Sequence, residues 1–321
     1  MPAVIRAVNR IASLLVALSF GFAAPLQALA QEKIRLGLLP FSESLGAVVA
    51  DKQGYFKAEG LDVETTKINS GAVGVTVLQA GKLDIIFSNT VSTLQAMEQG
   101  LDAVILAPGA VVRASGADTT IALMVRKGSL KSVKELEGKR VAVNVINSTA
   151  WLHAVAMLDK HGVDRSKVRF SEVPFPQMND PLVNAQLDAI YQVEPFRSVL
   201  MATGKAEVVG YPYVETLPGS DITQYLALTS WVEKNRATAA KFARAIDKGA
   251  QFANVPSNEA ALREANVQFT GLNPALKDVV MLPRFGTAVN PTEIGRTMDL
   301  MLKYGMLKQK VDLSRRILAA P

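Results

Sequence analysis

The sequence predicts an α/β protein of two similar lobes, each a mostly parallel sheet flanked by helices, with a two-strand hinge between them. Strand-like apolar runs alternate with helical segments, a pattern typical of parallel sheets covered by helices. The pair Asp51-Lys52 recurs as Asp159-Lys160, and Leu83-Asp84 recurs as Leu187-Asp188. A repeat of roughly a hundred residues is too long for a solenoid unit and suits two lobes. Two lobes enclose a cleft, which predicts a ligand.

The first lobe is predicted to begin with a buried parallel strand, Ile34–Leu39, because this nearly continuous apolar run is closed by Pro40. Ser42 is predicted to cap a helix over Leu45–Lys52, which Gly54 ends in the left-handed conformation. The same alternation then predicts a strand from Leu61, a helix over Ala72–Gln79, a strand over Leu83–Phe87, a helix over Val91–Gln99 and a strand over Ala103–Ala107.

The second lobe is predicted to begin near Thr119. Its predicted elements are a strand over Thr120–Val125, a short helix over Ser132–Leu136, a strand over Arg140–Val145, a helix over Ser148–Lys160, a strand over Val168–Val173, a helix over Pro181–Gln186 and a strand over Leu187–Val193. A further strand, Gln224–Ser230, is apolar enough to return to the first lobe. Beyond Trp231, long helices are predicted to cover that lobe, over Ala237–Ala253, Glu259–Gln268, Pro274–Met281 and Pro291–Tyr304.

These elements predict four parts of the chain. Residues 1–30 form a leader, 31–118 the first part of lobe 1, 119–224 lobe 2, and 225–321 a mostly helical completion of lobe 1. The chain is predicted to cross between the lobes near residues 115–120 and again near 222–232. Two crossings define a hinge axis, as a single linker would not.

Residues 1–30 have the pattern of a secretory signal peptide. Arg6 and Arg10 precede the apolar stretch Ile11–Ala24, and the small-x-small sequence Ala28-Leu29-Ala30 predicts cleavage after Ala30. A membrane anchor is the alternative, but this stretch is shorter than the ~20 residues that a spanning helix needs. The chain contains no Cys, which excludes a lipid-modified cysteine, disulfides and thiolate metal ligands. We therefore predict a soluble periplasmic monomer.

The charge balance argues against nucleic acid as a partner. Residues 1–30 hold two Arg and no acid, so the remaining chain has 33 basic residues (35 − 2) and 29 acidic ones. The basic residues are scattered, without a run of like charge or a basic stripe interleaved with aromatic residues. The mild positive charge favours an anionic ligand, and the 49% apolar content suffices for two buried cores.

Ligands of open α/β sheets bind beyond the carboxyl ends of the strands, where this sequence concentrates short hydroxyl and amide side chains. The predicted ligand contacts are Phe41, Ser42, Ser88, Asn89, Thr90, Asn147, Ser148, Thr149, Trp151, Gln192 and Glu194. The segment 147–149 precedes the long helix, so its free amides would face the cleft, although ordinary capping explains it equally well.

One helix terminus contributes roughly 0.3–1 kcal/mol. Micromolar affinity needs about 8 kcal/mol, so several termini have to converge from both lobes.

Five side chains have two interpretations each. Glu194, held extended before Pro195, would point into the cleft toward an ammonium or ring N–H, or would pair with Arg197. The rings of Phe41, Trp151 and Phe175 would form apolar walls of the cleft or pack in the cores. Arg113 would reach the ligand or remain solvated at the surface.

Four ordered motifs resemble a known family. They are Gly54-Tyr55-Phe56 leading to Leu61-Asp62-Val63, then Ala80-Gly81-Lys82-Leu83-Asp84, then Val133–Ala142, and finally Leu187-Asp188-Ala189 with Glu194-Pro195-Phe196. Together they resemble solute-binding proteins of ABC importers in the sulfonate/nitrate/taurine group, which are related to NMT1/THI5-like proteins. The resemblance covers essentially all of the chain after residue 30. Ala185-Gln186 departs from it, where the family usually has a glycine before the aspartate motif.

This resemblance implies the type II periplasmic binding protein fold, capture of a small molecule by hinge closure, and delivery to a cognate permease and ATPase in the inner membrane. We predict no cofactor and no metal. Sulfonates, nitrate or related oxyanions are the first ligand class that we expect, and pyrimidines or aromatic acids are the second. A sensory receptor that hands its ligand to a kinase would share these motifs.

An enzyme is the rival class, because eukaryotic relatives on this fold make the thiamine pyrimidine from their own histidine and pyridoxal phosphate. Those enzymes use a cysteine-rich iron-binding motif, whereas this chain has no Cys. His153 and His161 are spaced too far apart for ligands on one helical turn. The sequence also has no nucleophile elbow, phosphate loop or dinucleotide fingerprint. We therefore predict a binding protein without catalytic residues.

Overall fold

The computed structural model describes residues 31–118 and 120–318, so the predicted signal peptide and its cleavage site lie outside the described residues. The strands, in chain order, are β1 (Glu32–Leu38), β2 (Leu61–Lys67), β3 (Ile85–Asn89), β4 (Ala103–Pro108), β5 (Ala110–Val111), β6 (Ile121–Arg126), β7 (Arg140–Val143), β8 (Arg169–Glu172), β9 (Ala189–Val193), β10 (Ala206–Gly210), β11 (Thr223–Leu228) and β12 (Arg284–Phe285).

The helices, in chain order, are α1 (Leu45–Lys52), α2 (Tyr55–Ala58), α3 (Gly71–Gln79), α4 (Thr90–Glu98), α5 (Thr149–Lys160), α6 (Asn179–Val183), α7 (Phe196–Ala202), α8 (Pro212–Thr216), α9 (Thr229–Lys234), α10 (Arg236–Asn254), α11 (Glu259–Thr270) and α12 (Pro291–Lys303). Short 3-10 turns cover Ser42–Ser44, Val133–Leu136, Arg165–Lys167, Phe175–Gln177, Pro256–Asn258 and Pro274–Leu276. No helix of the described part is long and apolar enough to span a membrane.

Two five-stranded sheets form the two lobes, as the alternation of strands and helices predicts. The first has the order β2-β1-β3-β11-β4 and the second the order β10-β6-β9-β7-β8. In both sheets four strands run in one direction. The remaining strand, β11 in the first sheet and β6 in the second, lies antiparallel between two of them. Each sheet is buried in its own hydrophobic core, and α10 and α12 add their apolar faces to the first core. The mixed α/β, two-lobed fold class predicted from the sequence is confirmed.

The aspartate of each repeated Leu-Asp pair makes the same contact with an arginine of the neighbouring strand in both sheets. In the first lobe, Asp84 accepts hydrogen bonds from the backbone N–H, Nε and Nη2 of Arg35, at 2.8, 3.0 and 2.7 Å. In the second lobe, Asp188 accepts the same three bonds from Arg140, at 2.9, 3.0 and 2.9 Å. Each carboxylate therefore fastens a central strand to its neighbour at the amino end of the sheet.

The two chain crossings lie side by side. The backbone N–H of Ile222 donates to Ala110 O at 3.0 Å, and that of Val112 donates to Ser220 O at 2.9 Å. The return crossing lies earlier than the predicted 222–232, because Thr223 already pairs with Asn89 in the first sheet. A Cβ at Gly109 would lie 2.4 Å from Thr223 Oγ1, so glycine is required where these segments approach each other.

Several local predictions differ from the structure. The predicted helix over Pro274–Met281 is only a short turn, since Lys277 O and Val280 O accept hydrogen bonds from the Arg263 guanidinium instead of forming helical bonds. Ser42 does not cap α1, because its hydroxyl donates to Asn266 Oδ1 at 3.1 Å. The elements α7, β10 and α8 were not predicted, because their short segments have no clear hydrophobic period.

Candidate functional site

A cavity of about 250 Å³ lies between the two lobes at the carboxyl ends of both sheets. The first lobe supplies its wall from the segments after β1, before α3 and around the end of β3. The second lobe supplies residues 144–150 and the side chains of Phe175, Val193 and Tyr213, and the crossing segment adds Ile222 and Thr223. The cavity therefore lies where ligands bind in open α/β sheets.

Three helices begin at this cavity, and each has a capping side chain in its wall. Ser70 Oγ accepts a hydrogen bond from Val73 N in α3, and Asn89 Oδ1 accepts one from Ser92 N in α4. Ser148 Oγ does the same for Trp151 N in α5. Helix N-termini carry partial positive charge and free N–H groups. The three ends therefore form a surface that favours an anion although it has no charged side chain.

The lobes touch on both sides of these helix ends. Thr149 Oγ1 of the second lobe donates to Asn89 Oδ1 of the first at 2.7 Å. Phe41 of the first lobe packs edge-on against Phe175 of the second, with ring centroids 5.5 Å apart, and also contacts Phe196. Both contacts join residues of different lobes, so they connect the two walls of the cavity.

Five of the predicted contacts line the cavity, namely Phe41, Asn89, Asn147, Ser148 and Thr149. Asn147 adopts the left-handed conformation, with φ 61°, in the loop before α5, which Asn tolerates better than most residues. This loop turns the three consecutive polar residues toward the first lobe. Their contact with a ligand stays a prediction.

The other six predicted contacts lie outside the cavity wall, and they are Ser42, Ser88, Thr90, Trp151, Gln192 and Glu194. Thr90 Oγ1 donates to Asp221 O, and Gln192 Nε2 donates to Phe175 O and Asn179 Oδ1. Ser88 is fully buried beneath Gly71, and Trp151 packs near Phe170. Strand residues alternate between faces and helix residues rotate, so proximity in sequence to a strand end does not ensure that a side chain faces the cleft.

Glu194 forms a buried pair on its own lobe. Its Oε1 accepts a hydrogen bond from Ser198 Oγ at 2.9 Å and lies 3.7 Å from Arg197 Nε. Burial raises the pKa of Glu194 to about 7, against the lowering effect of Arg197. The pairing with Arg197 is thus the interpretation that the contacts favour. Arg113 does not line the cavity between the lobes.

The sequence reasoning missed Glu43, Tyr213, Ser70 and Asn144 in the wall. Ser70 precedes a predicted helix, so its capping signal was readable from the sequence. Glu43 is 6% exposed, and its Oε2 has no hydrogen-bond partner among the described residues. Burial, with additional repulsion from Asp118 and Glu194, raises the pKa of Glu43 to about 8.

The described residues offer no obvious metal site. No three His, Asp or Glu side chains within 31–118 and 120–318 converge where they could hold a metal ion. His153 is buried against Tyr213, with ring centroids 4.5 Å apart, and its Nδ1 lies 2.5 Å from Thr216 Oγ1. Burial lowers the pKa of His153 to about 3, so this histidine is a neutral core residue at pH 7.

Two α/β lobes with a ligand-sized cavity at the carboxyl ends of their sheets define the class of two-lobed periplasmic binding protein folds. Comparison with solved structures agrees. The periplasmic aliphatic sulphonate binding protein SsuA from Escherichia coli has a TM-score of 0.73 at 18% identity, with 89% of this chain and 97% of that chain covered. SsuA from Xanthomonas axonopodis pv. citri, bound to MOPS, has a TM-score of 0.73 at 16% identity, covering 89% and 97%.

The periplasmic nitrate-binding protein NrtA from Synechocystis PCC 6803 has a TM-score of 0.71 at 14% identity, covering 88% of this chain and 83% of that chain. At these identities the likeness establishes the fold. Among curated proteins, YtlA of Bacillus subtilis (strain 168), which is named as a binding protein, is 23% identical over 208 residues, or 64% of this chain and 60% of YtlA. The family model described as NMT1/THI5 like matches residues 42–260, so the chain belongs to this family.

Proposed function

We propose that this protein is the solute-binding component of an ABC importer, and that it captures a small solute carrying an oxyanion group, such as a sulfonate or nitrate. The observation that carries the proposal is the convergence of three capped helix N-termini, from two lobes, on one cavity. The titles of the structural neighbours, which name sulfonate and nitrate, support the same ligand class.

The energetics explain why both lobes are needed. One terminus stabilises an anion by roughly 0.3–1 kcal/mol, rising to about 2 when partly buried. Micromolar binding requires about 8 kcal/mol, so the helix ends of one lobe are insufficient, and even all three have to be supplemented by side chains of the cavity wall. We infer that residues 31–118 with 223–318 form one body and 120–222 the other, and that they close about the crossing segments to retain the solute.

The cellular setting follows from the family and the first thirty residues. The signal-peptide pattern ending at Ala30 supports export to the periplasm, and the family supports a membrane permease and ATPase as partners. We propose a monomer, since two lobes within one chain supply the whole cavity wall. A sensory receptor would use the same cavity, so deletion of the permease distinguishes transport from sensing by abolishing uptake.

Binding is tested on residues 31–321 by thermal shift and calorimetry with methanesulfonate, ethanesulfonate, MOPS and nitrate as probes. A probe at a hundred times its Kd should stabilise the protein by about 2.7 kcal/mol. The double variant Ser148→Ala, Thr149→Ala removes a cap and an interlobe contact, so we expect roughly tenfold to a hundredfold weaker binding.

The matched control is Asn290→Ala, which removes the cap of α12 outside the cavity. It should cost about 1 kcal/mol of stability and leave the affinity unchanged. Unaltered affinity in the double variant, or equal loss in the control, would remove the α5 terminus from the binding site. Failure of all probes would reject the oxyanion class.

A further inference from the structure

A cluster of three buried acids lies where the two lobes meet. Glu43 belongs to the first lobe, Asp118 to the first crossing segment and Glu194 to the end of β9 in the second lobe, and each is at most 6% exposed. The acids act on one another, because the charges of Asp118 and Glu194 add to the effect of burial on Glu43. Two oxygens, Glu43 Oε2 and Asp118 Oδ2, have no hydrogen-bond partner among the described residues.

The cluster has more negative charge than its surroundings balance. Within the described chain, Arg197 is the one base that favours the charged form of any of the three acids. Its Nε lies 3.7 Å from Glu194 Oε1, and its Nη1 donates to Asp118 O at 2.7 Å. The neighbouring Tyr213 stays protonated, because burial and the charges of Glu43 and Asp118 raise its pKa. Three carboxylates beside one guanidinium are unfavourable away from water, so protons have to neutralise part of the cluster.

Contacts between the lobes keep this cluster away from water. Ser198 Oγ of the second lobe donates to Glu194 Oε1 at 2.9 Å and lies 3.2 Å from Val279 O of the first lobe. Glu43 follows Phe41, whose ring packs against two rings of the second lobe. Separation of the lobes would break these contacts and widen the cavity that Glu43 lines. Opening therefore lets water reach carboxyl groups that are buried when the lobes are together.

We propose that the three acids form a proton-linked switch of lobe closure, in which the closed protein holds protons on the buried carboxyl groups and their loss favours the open protein. This inference rests on the lobe closure of the proposed function and adds a regulation by pH. It applies to any solute that the cavity binds.

The pKa values give the direction and the range of the effect. Burial raises the pKa of Glu43 to about 8 and that of Glu194 to about 7, and it raises the pKa of Asp118 above the usual range. A hydrated carboxyl group of the open protein titrates near pH 4. Closure therefore takes up about one proton between pH 6 and 8, and its equilibrium constant falls about tenfold per pH unit there. Above pH 8 the effect levels off, because Glu43 is ionised in both states.

The test follows the shape and the proton balance of residues 31–321. X-ray scattering of the empty protein is measured from pH 5.5 to 9, and calorimetry with nitrate in two buffers of different ionisation enthalpy counts the protons at pH 7. Nitrate is ionised throughout this range, so a proton change belongs to the protein. We expect the radius of gyration to rise with pH. Nitrate should bind with uptake of about one proton, and its Kd should rise about tenfold per pH unit between pH 6 and 8.

Two variants assign the effect to this cluster. Glu43→Gln should remove about half or more of the proton uptake and of the change in scattering. Asp118→Asn should also reduce both, although Asp118 lies outside the cavity wall and the variant keeps the oxygen that accepts from Thr120. Direct repulsion between nitrate and Glu43 in a protein that stays closed would instead leave the scattering of the empty protein independent of pH. The control Glu207→Gln changes an acid outside the cluster and the cavity, so it should behave as wild type.

The outcomes separate this inference from the proposed function. A radius of gyration that is constant from pH 5.5 to 9, or nitrate binding without proton uptake, overturns the switch and leaves the proposed function intact. A pH dependence that is unchanged in both cluster variants overturns the assignment to these acids. Should nitrate and the sulfonates all fail to bind, the oxyanion class is rejected and the scattering decides the switch. Should Glu43→Gln fail to fold, Asp118→Asn decides.

Discussion

The two edges of the sheets place their carboxyl groups in opposite environments. At the amino edge, Asp84 and Asp188 each accept three hydrogen bonds from one arginine, and their pKa values are lowered, to about 2 for Asp188. At the carboxyl edge, burial raises the pKa values of Glu43 and Glu194, to about 8 and about 7. The first edge holds charges that are satisfied within the fold, whereas the second holds acids that need a proton or a partner.

This difference separates scaffold from site. The amino-edge contact is the same in both lobes and belongs to the repeated part of the sequence. The carboxyl edge is not repeated, since the first lobe contributes Glu43 and two helix ends and the second contributes the segment 144–150. Evidence for the ligand therefore lies in what distinguishes the lobes, and three predictions test the comparison.

The largest effect is expected from Gly109→Ala at the carboxyl edge. A Cβ there would lie 2.4 Å from Thr223 Oγ1, 2.6 Å from Phe87 Cε2 and 3.0 Å from Thr223 O. Because both neighbours are buried or paired in the sheet, we expect a loss of about 2–3 kcal/mol in the free energy of unfolding. Urea denaturation measures it.

The matched control is Gly295→Ala in α12, where a Cβ meets nothing within 4 Å. Alanine there should stabilise the protein by roughly 0.5–1 kcal/mol. Equal effects of the two substitutions would show that the crossing segments are looser than the structure indicates.

The pH dependence of stability is expected to be the next largest effect. The raised pKa of Glu43 makes the folded state bind protons more tightly than the unfolded chain, so stability is present at low pH and is lost as pH rises through about 8. Glu194 acts in the same direction through about pH 7. Between pH 6.5 and 8.5 we expect the empty protein to lose roughly 2 kcal/mol.

Glu43→Gln removes the larger of these two contributions, so it should flatten the profile by more than half when thermal unfolding is followed without ligand. The range starts at pH 6.5, the ordinary pKa of histidine. His153 has a lowered pKa, so it destabilises the fold only when the pH falls below that value. A profile identical to that of the wild type would mean that the carboxyl of Glu43 is hydrated.

The smallest effect is expected at the amino edge, where Asp84→Asn and Asp188→Asn remove equivalent contacts. Each should lower the free energy of unfolding by about 1–2 kcal/mol, because the half-exposed arginines can hydrogen-bond to water instead. The costs should be similar and should add in the double variant, since the sites lie in different lobes. Chemical denaturation of the three variants tests this. Strongly unequal costs would show that the repeated sequence does not make equivalent contacts in the two lobes.

Most of the scaffold was predictable because it depends on local signals. Apolar runs predicted the central strands, and Gly54 and Gly81 end helices in the left-handed conformation, as their positions indicated. Ser148 was predicted to begin a helix and does cap α5. The failures fall where a distant partner decides, since Arg263 binds the carbonyls of the predicted helix after Pro274, and Asn266 binds the hydroxyl of Ser42.

The sequence by itself determined the two-lobed α/β class, the family and the general position of the site, because hydrophobic periodicity, helix capping and repeated motifs are visible in short stretches of sequence. Only the tertiary structure decided which side chains face the cavity. It turned Gln192 into its own lobe, paired Glu194 with Ser198 and Arg197, and placed Glu43 in the cavity wall with Tyr213. The physical reason is that burial, side-chain direction and the meeting of two lobes depend on contacts between separate segments of the chain, which no local pattern shows.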